Sequence, residues 1–278
     1  MPEGPEIRRE ARALGRVLVG ATLARLEYRV PRLAAKARRL RGARIVSATS
    51  RGKALLLAWD AGLVHYSHNQ LYGEWRVVPV RRLPALLETR DASIRVILAT
   101  PTHAAVLLSA TDIDLLSWRQ LAAQPYLARL GPDVLDRTTT VPVVLARLAD
   151  PAFVRRSLAS LLLDQSFVAG PGNYLRSEIL HAARVHPARR PIDLDAAARR
   201  ALAHATLALP RQSLATGGVT NDLALARRLQ AAGATFEQSR FRVYAREALP
   251  CRTCGTPIRR VEAGRAVYFC PRCQPKPD

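Results

Sequence analysis

Residues 251–273 read CRTCGTPIRRVEAGRAVYFCPRC. Cys251 and Cys254 form one CxxC knuckle, Cys270 and Cys273 a second, with fifteen residues between them. Four thiolates at this spacing close a tetrahedral site for one structural Zn2+ ion, whereas a redox dithiol needs only one such pair. The chain's four cysteines all fall in its last 28 residues. A disulfide framework would instead be spread through a small secreted domain. The segment between the knuckles, Arg259–Phe269, has the length of a β-hairpin. Arg259, Arg260 and Arg265 decorate it, so the finger presents cations to a polyanion.

Immediately upstream the texture is helical. From about Val141, the segments Val143–Leu148, Phe153–Leu163, Asn173–Val185 and Leu194–Leu209 repeat apolar residues at helical spacing, punctuated by Pro and Gly. Gly170-Pro171-Gly172-Asn173-Tyr174 lies between two of them. Glycines ahead of a helix expose N–H groups at its positive end, which makes a phosphate seat with Asn173 as an added donor. A C-cap glycine followed by an Asn N-cap explains the same residues, and the two readings are compatible. Thr216-Gly217-Gly218 leads into Asn221–Ala232, an Ala/Leu-rich helix.

Further upstream, residues 124–136 (QPYLARLGPDVLD) read as a linker with a Gly-Pro-Asp turn. Before it, an opening helix over Pro5–Leu18 gives way to short apolar runs. These are Leu55–Trp59, Leu63–Tyr66, Arg76–Val80, Ile94–Ala99 and Ala104–Ser109. They are short, often β-branched and separated by turn residues, which suits a sandwich of antiparallel strands.

Charge bounds the function. Lys and Arg number 43 against 22 Asp and Glu, a net of +21 over 278 residues. Codon bias toward Arg accounts for Arg over Lys but not for so few acids, so a polyanionic partner such as DNA is expected. No apolar run has the length of a membrane span. Glu3 and Glu6 stand where a signal peptide would be basic and then apolar, which points to a soluble cytoplasmic protein.

Three further stretches carry chemistry. Met1-Pro2-Glu3-Gly4-Pro5-Glu6 opens the chain. Removal of Met before the small residue Pro2 leaves a secondary amine. An α-amino group titrates near ~8, roughly two units below Lys, so part of it is nucleophilic at neutral pH and competent for Schiff-base chemistry at a sugar C1′. Glu3 and Glu6 offer acid–base groups, although an acidic helix start explains them equally. Arg51-Gly52-Lys53 places a cation at the mouth of an apolar strand. His65–Arg76 (HYSHNQLYGEWR) ends in a turn, Gln70-Leu71-Tyr72-Gly73, whose large side chains either fold back on the core or stand out to enter a base stack. His65 and His68 have no acidic or cysteine neighbour in sequence and read as structural.

Taken in order, PEGPE, RGKALLL, SHNQLYGEWR, GPDVL, LLLDQSFVAGPGNYLRSEIL and the paired cysteines resemble the family of formamidopyrimidine-DNA glycosylase and endonuclease VIII. The likeness spans nearly the whole chain and is strongest to the endonuclease VIII branch. The purine-directed branch places a Met in the wedge loop, and the one Met here is Met1.

The resemblance implies an α+β protein of three parts. These are a catalytic β-sandwich (1–128), a helix-two-turn-helix DNA-binding domain (129–245) and a zinc-finger β-hairpin (246–274). It implies Pro2 as nucleophile, Glu3 as proton donor, Lys53 as proton donor in β-elimination, and Arg265 in δ-elimination with a grip on phosphate. It also implies Gln70, Leu71 and Tyr72 as the wedge, and Arg129 and Asn173 as further DNA contacts. The expected protein is a monomer that acts on damaged double-stranded DNA, removes oxidised pyrimidines and cuts the strand on both sides of the abasic sugar. A purine-directed glycosylase and a non-catalytic zinc-finger DNA binder are the competing readings.

Overall fold

The computed structural model describes residues 2–276. The chain divides into two compact units. One comprises Pro2 and Glu6–Arg129, the other Glu3–Pro5 together with the residues from Leu130 onward.

The first unit begins with α1 (Gly4–Leu18), whose Ile7, Ala11, Leu14 and Leu18 recur at three- and four-residue intervals and are buried. Eight strands follow: β1 (Arg25–Tyr28), β2 (Ile45–Arg51), β3 (Ala54–Trp59), β4 (Leu63–His68), β5 (Glu74–Pro79), β6 (Ile94–Ala99), β7 (His103–Leu108) and β8 (Asp112–Ser117). They form two antiparallel four-stranded sheets, ordered β1-β6-β7-β5 and β2-β3-β4-β8. The short helices α2 (Ala34–Arg38), α3 (Leu83–Arg90), α4 (Trp118–Ala122) and α5 (Pro125–Ala128) complete the unit.

Alternation explains the layers. Leu55, Leu57 and Trp59 of β3, Val96 and Leu98 of β6, and Ala105 and Leu107 of β7 pack with α1 in one core. The opposite faces of β6 and β7 (Ile97, Ala99, Ala104, Val106) are covered by α3 through Leu83, Leu86 and Leu87. Burial on both faces is why these two strands read as continuous apolar runs rather than alternating ones.

In the second unit α6 (Val141–Ala149), α7 (Leu158–Leu161), α8 (Asn173–Ala182), α9 (Ala196–Ala215), α10 (Leu223–Ala231) and α11 (Phe236–Ser239) precede the hairpin β9 (Arg259–Ala263)–β10 (Arg265–Phe269). The helical segment expected over Phe153–Leu163 shrinks to the single turn α7. Asp150 ends α6 by accepting from the N–H of Ala152, and Ser157 restarts the chain by capping Ser160 N. The segment 124–136 is not a plain linker. Gln124 caps α5, and the backbone at Pro132 and Val134 pairs with Ala169 while Val134 is fully buried. Asp222 caps the helix expected over Asn221–Ala232. Among the described residues no helix is long and apolar enough to cross a membrane.

Candidate active site and metal centre

The start of α8 is the best-built polar feature of the second unit. Gly172 is its N-cap and Asn173 its first residue, so Asn173 is not itself the cap. The N–H groups of Gly172, Tyr174 and Leu175 donate to the Glu3 carboxylate at 2.6, 2.8 and 3.3 Å. Gly4 N donates to Gly170 O at 2.9 Å alongside. The phosphate seat expected at this helix start is therefore occupied by the protein's own carboxylate, which satisfies the orphan N–H groups and the positive end of the helix.

A Cβ on Gly172 would lie 2.6 Å from both Cδ and Oε1 of Glu3, so glycine is required by close approach. Gly172→Ala is expected to push Glu3 off the helix. If Glu3 is the proton donor that the resemblance implies, base excision should fall about 100-fold, with the melting temperature little changed. Wild-type rates of damaged-base excision from that variant would exclude a working role for the Glu3–α8 seat.

Pro2, half-buried, directly precedes this carboxylate. Met1 lies outside the described residues.

In the first unit Tyr126 gathers several expected site residues. Its hydroxyl accepts from Lys53 N at 2.8 Å, its ring lies edge-on to His68 with centroids 4.8 Å apart, and the Arg129 guanidinium stands 5.9 Å over it. Lys53 is 6% exposed and enters β3 from a turn made by Gly52 at φ 57°. Burial, followed by the nearby Lys53 and Arg129 charges, outweighs the pull of Asp112 and lowers the His68 pKa.

Gln70 N donates to His68 Nδ1, and Thr111 Oγ1 donates to Gln70 Oε1. Leu71 and Tyr72 are 58% and 80% exposed, so neither folds back on the core. The turn that carries them is not a hairpin within one sheet. It crosses from β4 in one sheet to β5 in the other. His65 is buried, bonded to Tyr28 Oη at 3.0 Å and held neutral by desolvation with its pKa down at about 3, in keeping with a structural role.

Arg176 ties the hairpin to α8. Its guanidinium donates to Asn173 Oδ1 (2.6 Å), Ala159 O (3.1 Å), Arg265 O (2.7 Å) and Ala266 O (3.0 Å). Burial, reinforced by Arg265 and opposed by Glu3, brings its pKa to about 10, so it stays charged at neutral pH. Arg265 itself is exposed at the start of β10. Thus Glu3, Asn173 and Arg265 belong to one network through α8, and Lys53, Gln70 and Arg129 to another around Tyr126 and His68.

A third anchor is Glu178, fully buried, whose carboxylate accepts from the N–H groups of Arg242, Val243 and Tyr244 and from Thr220 Oγ1. Sequence reading missed Tyr126, Arg176 and Glu178. Charged residues inside the apolar period of α8 were the available signal for the last two, since buried charge needs partners.

The cysteines converge. Their four Sγ atoms lie within 4.8 Å of one another, with Cys254–Cys270 at 3.4 Å and Cys251–Cys273 at 3.9 Å. A zinc tetrahedron with bonds of about 2.3 Å has edges of about 3.8 Å, so the donor set fits that ion. Backbone N–H groups of Thr253 and Cys273 point at Cys251 and Cys270 sulfurs, and His181 Nε2 lies 3.5 Å from Cys251 Sγ. Gln274, fully buried, joins Cys270 N to Val185 O and locks the finger to the segment that follows α8. Among the described residues this is the one cluster of three or more His, Cys, Asp or Glu placed to hold a metal.

Comparison with known proteins places the chain among its relatives. Residues 1–116 match the formamidopyrimidine-DNA glycosylase N-terminal domain, 130–224 its H2TH domain, and 248–276 the zinc finger found in FPG and IleRS. The chain is 43% identical over 275 residues to endonuclease 8 of Klebsiella pneumoniae (strain 342), covering 99% of this chain and all of that protein. Endonuclease 8 of Escherichia coli (strain K12 / DH10B) is 42% identical over the same extent. The fold also matches Lactococcus lactis Fpg in complex with abasic-site DNA at TM-score 0.80 and 22% identity. That match covers 99% of this chain and 100% of that one. MutM in complex with carbocyclic 8-oxo-G DNA matches at TM-score 0.79 and 23% identity over the same shares.

Proposed function

Because the chain belongs to the formamidopyrimidine-DNA glycosylase and endonuclease VIII family, we propose that it excises oxidised pyrimidines from damaged double-stranded DNA and cuts the strand by β,δ-elimination. It works as a cytoplasmic, nucleoid-bound monomer with one structural zinc. The observation that carries the reading is the Glu3 carboxylate held by three N–H groups of α8, one residue after the Pro2 amine.

The steps follow from the residues. The Pro2 nitrogen lone pair forms a bond to C1′. The damaged base leaves with the glycosidic electron pair, and Glu3, seated as a carboxylate on α8, takes up the proton shed by the attacking Pro2 nitrogen and passes it to the departing base as the donor. Cleavage of the C1′–O4′ bond, with O4′ taking a proton from solvent, then opens the sugar and leaves a C1′=N+ iminium, which acidifies the C2′ hydrogen. Loss of that hydrogen to a solvent base expels the 3′ phosphate, with Lys53 as proton donor. A second loss, from C4′, expels the 5′ phosphate, which Arg265 grips through its guanidinium. Hydrolysis of the imine then frees Pro2. Zinc takes no part in these steps and holds the finger that carries Arg265. Arg129 and Asn173 bind the DNA backbone, and the net charge of +21 makes that binding steeply salt-dependent.

The test of substrate class is borohydride trapping on matched duplexes carrying one oxidised pyrimidine or one oxidised purine. Preferential trapping on the pyrimidine supports the reading. Preference for the purine, or no covalent adduct on either, overturns it.

A base within a duplex cannot reach Pro2 unless its nucleotide is extruded, at a cost of a few kcal/mol that is smaller at a damaged or absent base. Gln70, Leu71 and Tyr72 fill the vacated space, Tyr72 by stacking. Replacing all three with Ala is expected to slow single-turnover base excision by about 100-fold, equivalent to the lost stacking of roughly 1–3 kcal/mol per contact. Cutting at a preformed abasic site should change far less. Equal losses in the two assays would remove the wedge role.

A further inference from the structure

Glu10 lies in the second turn of α1, the helix that begins one residue after Glu3. Its carboxylate is largely withdrawn from water. Burial, with Glu74 of β5 and Glu6 of α1, pushes its pKa up to about 7 against the opposing bond from Asn69 and the charge of Arg9. A carboxylate in such a place is costly, and an apolar side chain would pack there at less expense. What it does hold is Asn69, whose Nδ2 donates to Glu10 Oε2 at 2.8 Å.

Asn69 is 2% exposed and is the first residue after β4, at the foot of the crossover that carries Gln70, Leu71 and Tyr72. The other foot closes on it, with Gly73 N donating to Asn69 O at 2.8 Å. A Cβ on Gly73 would meet Asn69 O at 2.7 Å and Asn69 Cα at 2.8 Å. Gln70 takes the left-handed φ of 49° directly after this clamp. The loop is thus fixed at its base, while Leu71 and Tyr72 stand free at its tip.

We propose that Glu10, acting through Asn69, is a positioning residue for base extrusion: it sets the foot of the wedge loop so that Leu71 and Tyr72 enter the duplex in register with the nucleophile. The inference rests on the wedge reading of residues 70–72. Glu10 acts as a hydrogen-bond acceptor for Asn69, and bonding rather than charge is what it supplies.

The test compares two single-turnover rates, excision of an oxidised pyrimidine from duplex and cutting at a preformed abasic site. The variants are E10A, E10Q, N69A, the double variant E10A/N69A and the triple wedge variant. Both E10A and N69A are expected to slow excision about tenfold, with abasic-site cutting within about twofold of wild type. E10Q keeps an acceptor for Asn69 and should restore excision. The double variant should be no slower than the slower single one, since both remove the same contact.

Equal losses in both assays for E10A and N69A, an E10Q as slow as E10A, or additive single effects would overturn the positioning role. If E10A proves unfolded by circular dichroism, N69A and E10Q decide the matter by the same criteria. A triple wedge variant without selective loss defeats the wedge reading itself. Selective loss in the triple variant, with none in N69A, defeats only the role of Glu10.

Discussion

A chain that keeps Met1 is expected to give no borohydride-trapped adduct with abasic DNA, while the trimmed chain is trapped through Pro2. In the retained form the Pro2 nitrogen is an amide, with its lone pair delocalised into the carbonyl and no longer nucleophilic. The new terminal amine stands one residue, about 3.8 Å, farther along the chain. Reactivity that depends on holding the amine at C1′ should then fall by about a thousandfold or more, since well-oriented attack is worth several powers of ten.

In general a lysine amine, with an ordinary pKa near 10.4 against roughly 8 for an α-amine, is unprotonated at neutral pH about two orders of magnitude less often. Pro2→Gly retains a terminal amine and should keep part of the activity. Mass spectrometry of the trapped, digested complex provides the measurement. An adduct mapped to Lys53 would overturn the assignment of Pro2.

The second large effect concerns the metal. Chelation, or Cys254→Ser, is expected to abolish duplex binding and incision while the sheets of the first unit keep their melting transition. The finger has almost no core of its own. Its buried cluster is Val243, Ile258, Cys251 and Cys270, so two of the four buried members are metal ligands. A fold this small depends on the ion for its stability. Its loss would free β10, leave the Arg176 guanidinium without the Arg265 and Ala266 carbonyls, and detach Arg265 from α8. The core of the first unit contains no cysteine and shares no residue with the finger. Metal analysis, gel shift and melting curves on one preparation test this. Active protein that contains no zinc would refute it.

The parts of this architecture that were legible in the sequence are those where one physical demand acts alone. Paired cysteines need only spacing, and the hairpin Arg259–Phe269 was read to its ends because the knuckles bracket it. Strands β3, β4, β6 and β7 were legible because burial makes them apolar. Strands β1, β2 and β8 were not, and all three lie at sheet edges; β5, also an edge, was read only in part, as Arg76–Val80. An edge strand needs fewer apolar residues, and β2 (IVSATSR) shows no clear alternation.

The phosphate seat was misassigned for a different reason. Local sequence shows that a helix start carries free N–H groups but not which acceptor will reach them, and Glu3 arrives from 169 residues away. Tyr126, Arg176 and Glu178 stayed hidden likewise, because their meaning lies in distant backbone partners.

That long-range seat also sets a timetable. Glu3 and Gly4 leave the ribosome first, yet the N–H groups and carbonyl that receive them belong to residues 170–175. At about 5–20 residues per second, roughly ten to thirty seconds of synthesis separate the two. Throughout that interval the terminus has no partner and is open to the aminopeptidase that removes Met1. Once Glu3 settles against α8, its side chain and the Gly4 N–H are both engaged. The order in which the ribosome delivers the chain therefore allows Met1 to be trimmed, and the proposed Pro2 nucleophile unmasked, before the protein folds around it.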